Sequence, residues 1–279
     1  MAAKPEGPRM NREPLTMFLY SDISGTLRGK GFPTRDLQKR LKSGVGWTPT
    51  NIMFTALGAI APSQWGPWGD VLMMPDPLAE ATIDFGDGLQ KEHFFLSDIL
   101  ETDGTPWDCC PRTLLRNAVE DLRRETGVTL RVAHEHEFVY SGGNGRAGDM
   151  YALDAVRRHG SFGEVFLSAL EQCGVEADSY LAEFALNQFE VTVPPEEPLK
   201  ACDQAIMLRE IARATAARLG HSVTFTPRVS TSGIGNGLHI HMSLWDEAGK
   251  PLSHDPEGPQ GVSATAGSFL AGILKHMPA

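Results

Sequence analysis

Two hydrophobic periods share this chain, and the switch between them divides it. In the first part apolar residues recur every second position, the spacing of half-buried strands. Leu15–Tyr20 reads as a short strand running into a turn at Ser21–Gly25, and Asp36–Lys42 as a short helical turn. Gly44–Trp47 begins another extended section, and Trp65–Asp70 is a rigid loop. A strand at Val71–Met74 is expected to end at Pro75-Asp76-Pro77, with further strands around Ala81–Phe85 and His93–Leu100 before a turn at Asp103-Gly104.

Near Trp107 helical spacing appears. Pro111 suits the first turn of a helix, and Leu115, Val119 and Leu122 repeat along one face until Gly127. Ser161 and Glu164 form a capping-box pattern for a helix ending at Gly174. Leu199–Leu219 is the longest helix, with Ile206, Ile211, Ala212 and Leu219 as inward candidates. A last helix is read at Ser263–His276, with Phe269, Leu270, Ile273 and Leu274 apolar. The expected organisation is a disordered segment over 1–14, a strand-rich domain over 15–106, and a second domain over 107–279. Its class is α+β, an antiparallel sheet backed by helices.

Between the helices lie strands whose polar positions carry chemistry. Gly233–Leu244 reads GIGNGLHIHMSL, three alternating glycines followed by apolar/polar alternation. Such glycines permit positive φ and close approach of a ligand. On a strand His239 and His241 project from one face. Alone, such a pair is read slightly better as hydrogen-bonded histidines on a half-buried strand. A second pair, Glu135 and Glu137, lies on the strand-like run Val132–Tyr140. Two carboxylates side by side repel unless a cation or shared proton separates them. Glu183 and Glu190 follow in Tyr180–Val193, at an odd separation that a straight strand would send to opposite faces. Ala185–Gln188 must therefore turn or bulge if both are to reach one site. Four glutamates and His239 make a hard, oxygen-rich set suited to Mg²⁺ or Mn²⁺.

Composition narrows the partners. A net charge of −10 argues against a nucleic-acid backbone. No stretch approaches the apolar length of a membrane-spanning helix. The N-terminus is polar and proline-broken, and Cys109, Cys110, Cys173 and Cys202 lack zinc-type spacing; a reduced, cytoplasmic protein is expected. Arg28 and Lys30, flanking Gly29, are placed on a loop, where they could grip an anion or be merely solvated.

Taken in order, these motifs resemble the glutamine synthetase family, and within it the γ-glutamyl-amine ligases. The resemblance runs from about Leu15 to the last residue. It rests on Asp22…Gly25…Arg28-Gly29-Lys30, Gly69-Asp70 with Pro75-Asp76, and Asp103-Gly104-Thr105-Pro106 before Pro111-Arg112. It continues through Glu135-His136-Glu137, Glu183…Gln188-Phe189-Glu190, Thr224-Phe225 before Pro227, and Gly235-Asn236-Gly237-Leu238-His239-Ile240-His241. The resemblance implies an N-terminal β-grasp domain and a catalytic domain built on a curved antiparallel sheet. It implies that Glu137, Glu183 and Glu190 hold one divalent metal and Glu135 with His239 a second. His241 would meet nucleotide phosphate, Ser243 the nucleotide, and Gly235 the glutamate. ATP would phosphorylate the γ-carboxylate of glutamate, and ammonia or an amine would displace phosphate. A ring-type homo-oligomer is implied as well.

The departures from the family pattern are specific. Asn187 stands where glycine is usual, Ile234 replaces an asparagine expected near glutamate, and Arg228 replaces a lysine. Trp47–Asn51 lacks the aspartate of ammonia-using members, which favours a bulkier amine. The sequence stops at Pro278-Ala279, where the family continues with a further metal glutamate and arginines. The expectation is therefore a C-terminally incomplete ligase or a shortened, non-catalytic relative. A cupin is the rival from another class: Gly233, His239 and His241 match the opening of its metal motif, with Asp246 near its glutamate.

Overall fold

A computed structural model describes residues 11–277. They fall into two compact units, divided between Trp107 and Asp108. Most of the segment read as disordered, residues 1–10, lies outside the described residues. Its last residues are tied down: the Pro14 carbonyl accepts the Thr34 N–H at 2.8 Å, and Glu13 pairs with Arg35.

The first unit is a five-stranded sheet of β1 (Leu15–Ser21), β2 (Leu27–Pro33), β3 (Val45–Trp47), β4 (Val71–Ile83) and β5 (Glu92–Leu100). Their order is β2-β1-β5-β4-β3, with β1 and β5 parallel and the other pairs antiparallel, as expected of a β-grasp domain. A short helix, α1 (Leu37–Ser43), precedes β3. Alternation on β1 buries Thr16, Phe18 and Tyr20, and Phe18 meets Phe32 and Phe95 edge-on at 4.8 and 5.6 Å. Each buried aromatic of this kind contributes about 1.5–3 kcal/mol of burial free energy.

Two expectations for this unit fail. Pro75-Asp76-Pro77 does not end a strand: β4 runs on to Ile83, and the prolines lie where its pairing with β5 shifts register between Pro75 and Glu80. A bulge accommodates residues that cannot donate to the ladder. Arg28 and Lys30 are not on a loop but on β2, and both are engaged. Arg28 Nε donates to Asp22 at 2.6 Å, and Lys30 Nζ donates to the Gly46 carbonyl at 2.5 Å.

The second unit is organised around β6 (Val128–Tyr140), whose side chains alternate strictly between buried and half-exposed from Val132 onward. The helix before it, α2 (Pro111–Thr126), ends at Gly127, whose φ of 68° is the left-handed cap that glycine adopts without steric cost. After β6 come α3 (Leu153–Arg158), α4 (Phe162–Gln172), β7 (Ser179–Ala182) and β8 (Gln188–Thr192). Then follow α5 (Pro198–Arg218), β9 (Val223–Thr224), β10 (Leu238–Asp246) and α6 (Ala264–His276). The sheet order is β10-β6-β8-β7, with β9 also paired to β6, and every pairing is antiparallel. The α+β class is as expected.

Helices cover one face of this sheet. There Phe138 packs with Phe162, Phe166 and Phe189 at ring separations of 6.0–6.2 Å. Toward the other end Val128, Leu130 and Val132 pack with Ala201, Leu244 and Ala266. A buried ion pair, Arg112 to Asp203 at 2.7 Å, joins α2 to α5. The helices themselves differ in detail from expectation. Ser161 occupies the cap position of α4 without a side-chain capping bond, so the capping box does not form. On α5 the buried positions include Met207, Leu208, Ile211 and Ala212, whereas Ile206 and Leu219 are only half-buried. On α6 Phe269 packs on the core, but Leu270 and Leu274 are exposed. The six-residue α3 has no counterpart in the sequence reading.

Candidate active site

On the face of the sheet opposite the phenylalanines, β6 presents Glu135 and Glu137. The pairing register explains what surrounds them. His239 on β10 lies directly across from Glu135, and Glu190 on β8 directly across from Glu137. Like charges facing each other across an antiparallel pair are destabilising. The turn expected between Glu183 and Glu190 is present. The Glu183 N–H donates to the Gln188 carbonyl at 2.8 Å, and Asn187 takes a positive φ of 58°. That hairpin brings Glu183 to the same pocket.

The pocket has a volume of about 710 Å³ and is lined by Glu135, Glu137, Glu183 and Glu190 together with His239 and the loop Ile234–Gly237. Within it, ligand atoms of Glu135, Glu190 and His239 lie within 4.8 Å of one another. This grouping cuts across the division implied by resemblance, which placed Glu190 with Glu137 and Glu183. His239 Nδ1 is 3.2 Å from Glu135 Oε2, and His241 Nε2 is 3.1 Å from Glu135 Oε1. The two histidines therefore do share a face. Ser243 lies two residues further along β10, its oxygen accepting the Trp245 indole N–H at 2.8 Å.

The electrostatics fit a cation. The Glu190 carboxyl is pushed above its ordinary value of 4.5 by burial, then by the charges of Glu135, Glu183 and Glu137. Four acids and an imidazole supply the oxygen-rich donor set of a hard divalent ion. The alternating glycines serve close approach rather than positive φ. A Cβ on Gly237 would come within 2.7 Å of Glu137 Oε1, and one on Gly235 within 2.4 Å of the Pro227 carbonyl oxygen. Ile234, at the position of the expected asparagine, also lines the pocket.

The other face of β6 carries His134 and His136, both buried, each with an unpartnered Nδ1. Burial, together with the nearby charges of His134 and Arg209, pushes the His136 pKa down to about 3. The imidazole is therefore neutral in the fold at ordinary pH.

Sequence reasoning missed several residues here. Tyr151 lines the pocket with φ 58°, and its ring meets Phe184 edge-on at 5.6 Å. Burial and the neighbouring carboxylates, Glu183 first, raise its phenol. No local motif marks it, because it is placed by its N–H bonding to the Ala182 carbonyl at 2.9 Å. Gln188 and Asn236 were part of quoted motifs but carried no assigned role. In the fold they connect Glu137 to the glycine loop. The cupin reading fails on the same geometry: His239 and His241 sit on an outer strand of an open sheet, and Asp246 caps a turn through the N–H groups of Ala248 and Lys250.

Comparison with known proteins accounts for both units. Residues 108–279 match the glutamine synthetase catalytic domain, and residues 5–107 the glutamine synthetase N-terminal domain. A γ-glutamylpolyamine synthetase, GlnA3, of Streptomyces coelicolor is 34% identical, covering 93% of this chain and 57% of the relative. A glutamate–isopropylamine ligase of a Pseudomonas species is 28% identical, covering 74% of this chain and 47% of the relative. A crystal structure described as a novel glutamine synthase homolog superposes with a TM-score of 0.91 at 35% identity, covering 98% of this chain and 65% of that one. The chain thus spans about half the length of the curated relatives it matches. With both domains matched and the acidic sheet face in place, the chain belongs to the glutamine synthetase family.

Proposed function

We propose that this chain carries the acidic centre of an ATP-dependent ligase that joins the γ-carboxylate of glutamate to an organic amine through a γ-glutamyl phosphate. The observation that carries the reading is the convergence of four glutamates and His239 on one sheet face, with Glu190 held above its ordinary pKa by burial and by the other three acids. Glu137, Glu183 and Glu190 would hold one Mg²⁺ or Mn²⁺, and Glu135 with His239 a second. Glu190 lies close enough to Glu135 and His239 to serve either. Such ions neutralise charge on a transferring phosphoryl group.

The remaining work falls to the chain's own groups. His241 and Ser243 follow His239 on the same strand face and would meet the nucleotide and its phosphates. The backbone at Gly235 would orient glutamate. Tyr151 and Phe184 are exposed aromatics, both lining the pocket, and suit an organic ammonium by cation–π contact. Trp47–Asn51 has no carboxylate to attract ammonium, and two relatives named above are amine ligases. The same reading includes a homo-oligomer in a reducing, cytoplasmic setting. All four cysteines are free, and no helix among the described residues is long and apolar enough to cross a membrane.

The test is an acceptor panel with glutamate, ATP and Mg²⁺ fixed, scored by phosphate release and by mass spectrometry of the amide. Small primary amines and polyamines are expected to outperform ammonia. Ammonia as the best acceptor would refute the amine assignment, and failure of the chain to bind Mn²⁺ would refute the metal centre.

A further inference from the structure

We propose that Gln188 is a positioning residue that couples cation binding in the carboxylate pocket to the order of the glycine loop before β10. This rests on the metal reading above and goes beyond it. Gln188 opens β8 and is 1% exposed. Its amide orientation is fixed, because Oε1 accepts the Ala185 N–H at 2.8 Å. Nε2 then faces three acceptors: Glu137 Oε2 at 2.9 Å, the Gly235 carbonyl at 2.8 Å and Asn236 Oδ1 at 2.9 Å. Asn236 is oriented in turn by Nδ2 donating to the Thr226 carbonyl at 2.8 Å. A primary amide nitrogen has only two protons to give. One of the three acceptors is always left short.

Charge decides the competition. An ionised carboxylate is a stronger acceptor than a neutral carbonyl. Without a cation, Glu137 therefore draws a proton of Gln188 away from the loop. A cation on Glu137 weakens that pull, and both protons become available to Gly235 and Asn236. The loop tightens as the pocket fills. By linkage a tightened loop favours the cation by the same factor. Gly235 is also where glutamate is proposed to bind, so a filled pocket would prepare the substrate loop.

Hydrogen–deuterium exchange on the intact chain, with and without saturating Mn²⁺, reads this directly. Peptides spanning residues 228–240 are followed, and Mn²⁺ affinity is measured in parallel by electron paramagnetic resonance. In the wild type, bound Mn²⁺ should slow loop exchange by about fivefold or more. In Gln188→Met the loop should exchange at one rate whether or not Mn²⁺ is bound. In Asn236→Ala, which removes one competing acceptor, the Mn²⁺-dependent slowing should shrink. A merely structural Gln188 would lower the melting temperature of Gln188→Met and leave the Mn²⁺-dependent change intact, and that result would overturn the proposal. So would a wild-type loop that ignores bound Mn²⁺, a measurement that holds even if Gln188→Met fails to fold. No Mn²⁺ binding by the wild type would instead overturn the metal reading, and the coupling with it.

Discussion

Asp22, just past the end of β1 in the first unit, and Glu190, within β8 in the second, are both shielded acids, and they are treated in opposite ways. Asp22 is surrounded by donors: the Ser24 and Thr26 N–H groups, the Ser24 hydroxyl and Arg28 all bond its carboxylate at 2.6–2.9 Å. Burial alone would raise its pKa, yet these donors, with the Arg28 charge, hold it below 3.8. Glu190 is surrounded by other acids and is held above its ordinary value. An acid kept for architecture is supplied with partners from its own chain. Under the metal reading proposed above, Glu190 is left facing others of its kind because a cation is to sit among them.

The sharpest break of this contrast is Glu190→Ala. Removing one of the clustered carboxylates should weaken Mn²⁺ binding by about a hundredfold or more, measured by calorimetry, since even supporting residues around a metal cost about 10–100-fold. The melting temperature should hold or rise, because repulsion is relieved. Glu137→Ala should behave likewise, and unchanged Mn²⁺ affinity in both would dissolve the proposed centre.

Asp22→Ala should do the reverse. It strips Arg28 of its partner and leaves two turn N–H groups unserved, at a cost of about 2–3 kcal/mol in chemical denaturation, with Mn²⁺ affinity unchanged. A stability loss below half of that would show that the turn is held by its backbone alone.

Acid titration sharpens the comparison further. Asp22 stabilises the fold above its unfolded pKa, and that contribution is lost as pH falls through the lower folded value. His136 acts in the same direction at higher pH. Its folded pKa of about 3 lies below the ordinary 6.5, so stability drains away as pH falls from 6.5 toward 3. Glu190 has the opposite sign: its raised pKa makes the metal-free fold gain stability as pH falls toward 4.5. His136→Phe should flatten the slope of denaturation midpoint against pH between about 6.5 and 3. A slope identical to wild type would place the responsible group elsewhere.

The smallest effect belongs to Ser161→Ala. A working N-cap costs about 1 kcal/mol to remove. Ser161 makes no side-chain capping bond, so the change should stay within about 0.5 kcal/mol. A larger loss would restore the capping box.

The site was more legible in the sequence than the elements around it. His239, His241 and the two glutamate pairs were readable because strand periodicity assigns faces without tertiary information. The odd spacing of Glu183 and Glu190 even demanded the hairpin that Asn187 makes. What could not be read was which face of β6 would be dry. His134 and His136 share the alternation of the glutamates, and only the helices decide that the histidines lie inward. Tyr151 was invisible for a related reason: it is held by Ala182, distant in sequence. Pro75 and Pro77 misled because a bulge, unlike a strand end, depends on the partner strand. Leu270 and Leu274 on α6 are apolar yet exposed, since apolar spacing does not reveal which positions find a neighbour.

The alternation along β6 also bears on how the chain finds its pairing. A slip of one residue against β8 or β10 would turn Glu135 and Glu137 toward Phe162 and Phe166, and Phe138 toward water. Burying two unpaired carboxylates costs several kcal/mol each, which makes the slipped pairing rarer by about a thousandfold or more. The acids therefore act as a proofreading mark during folding, before any ligand is present. Neutralising Glu135 and Glu137 together should add a slow refolding phase, as mispaired strands wait to be undone.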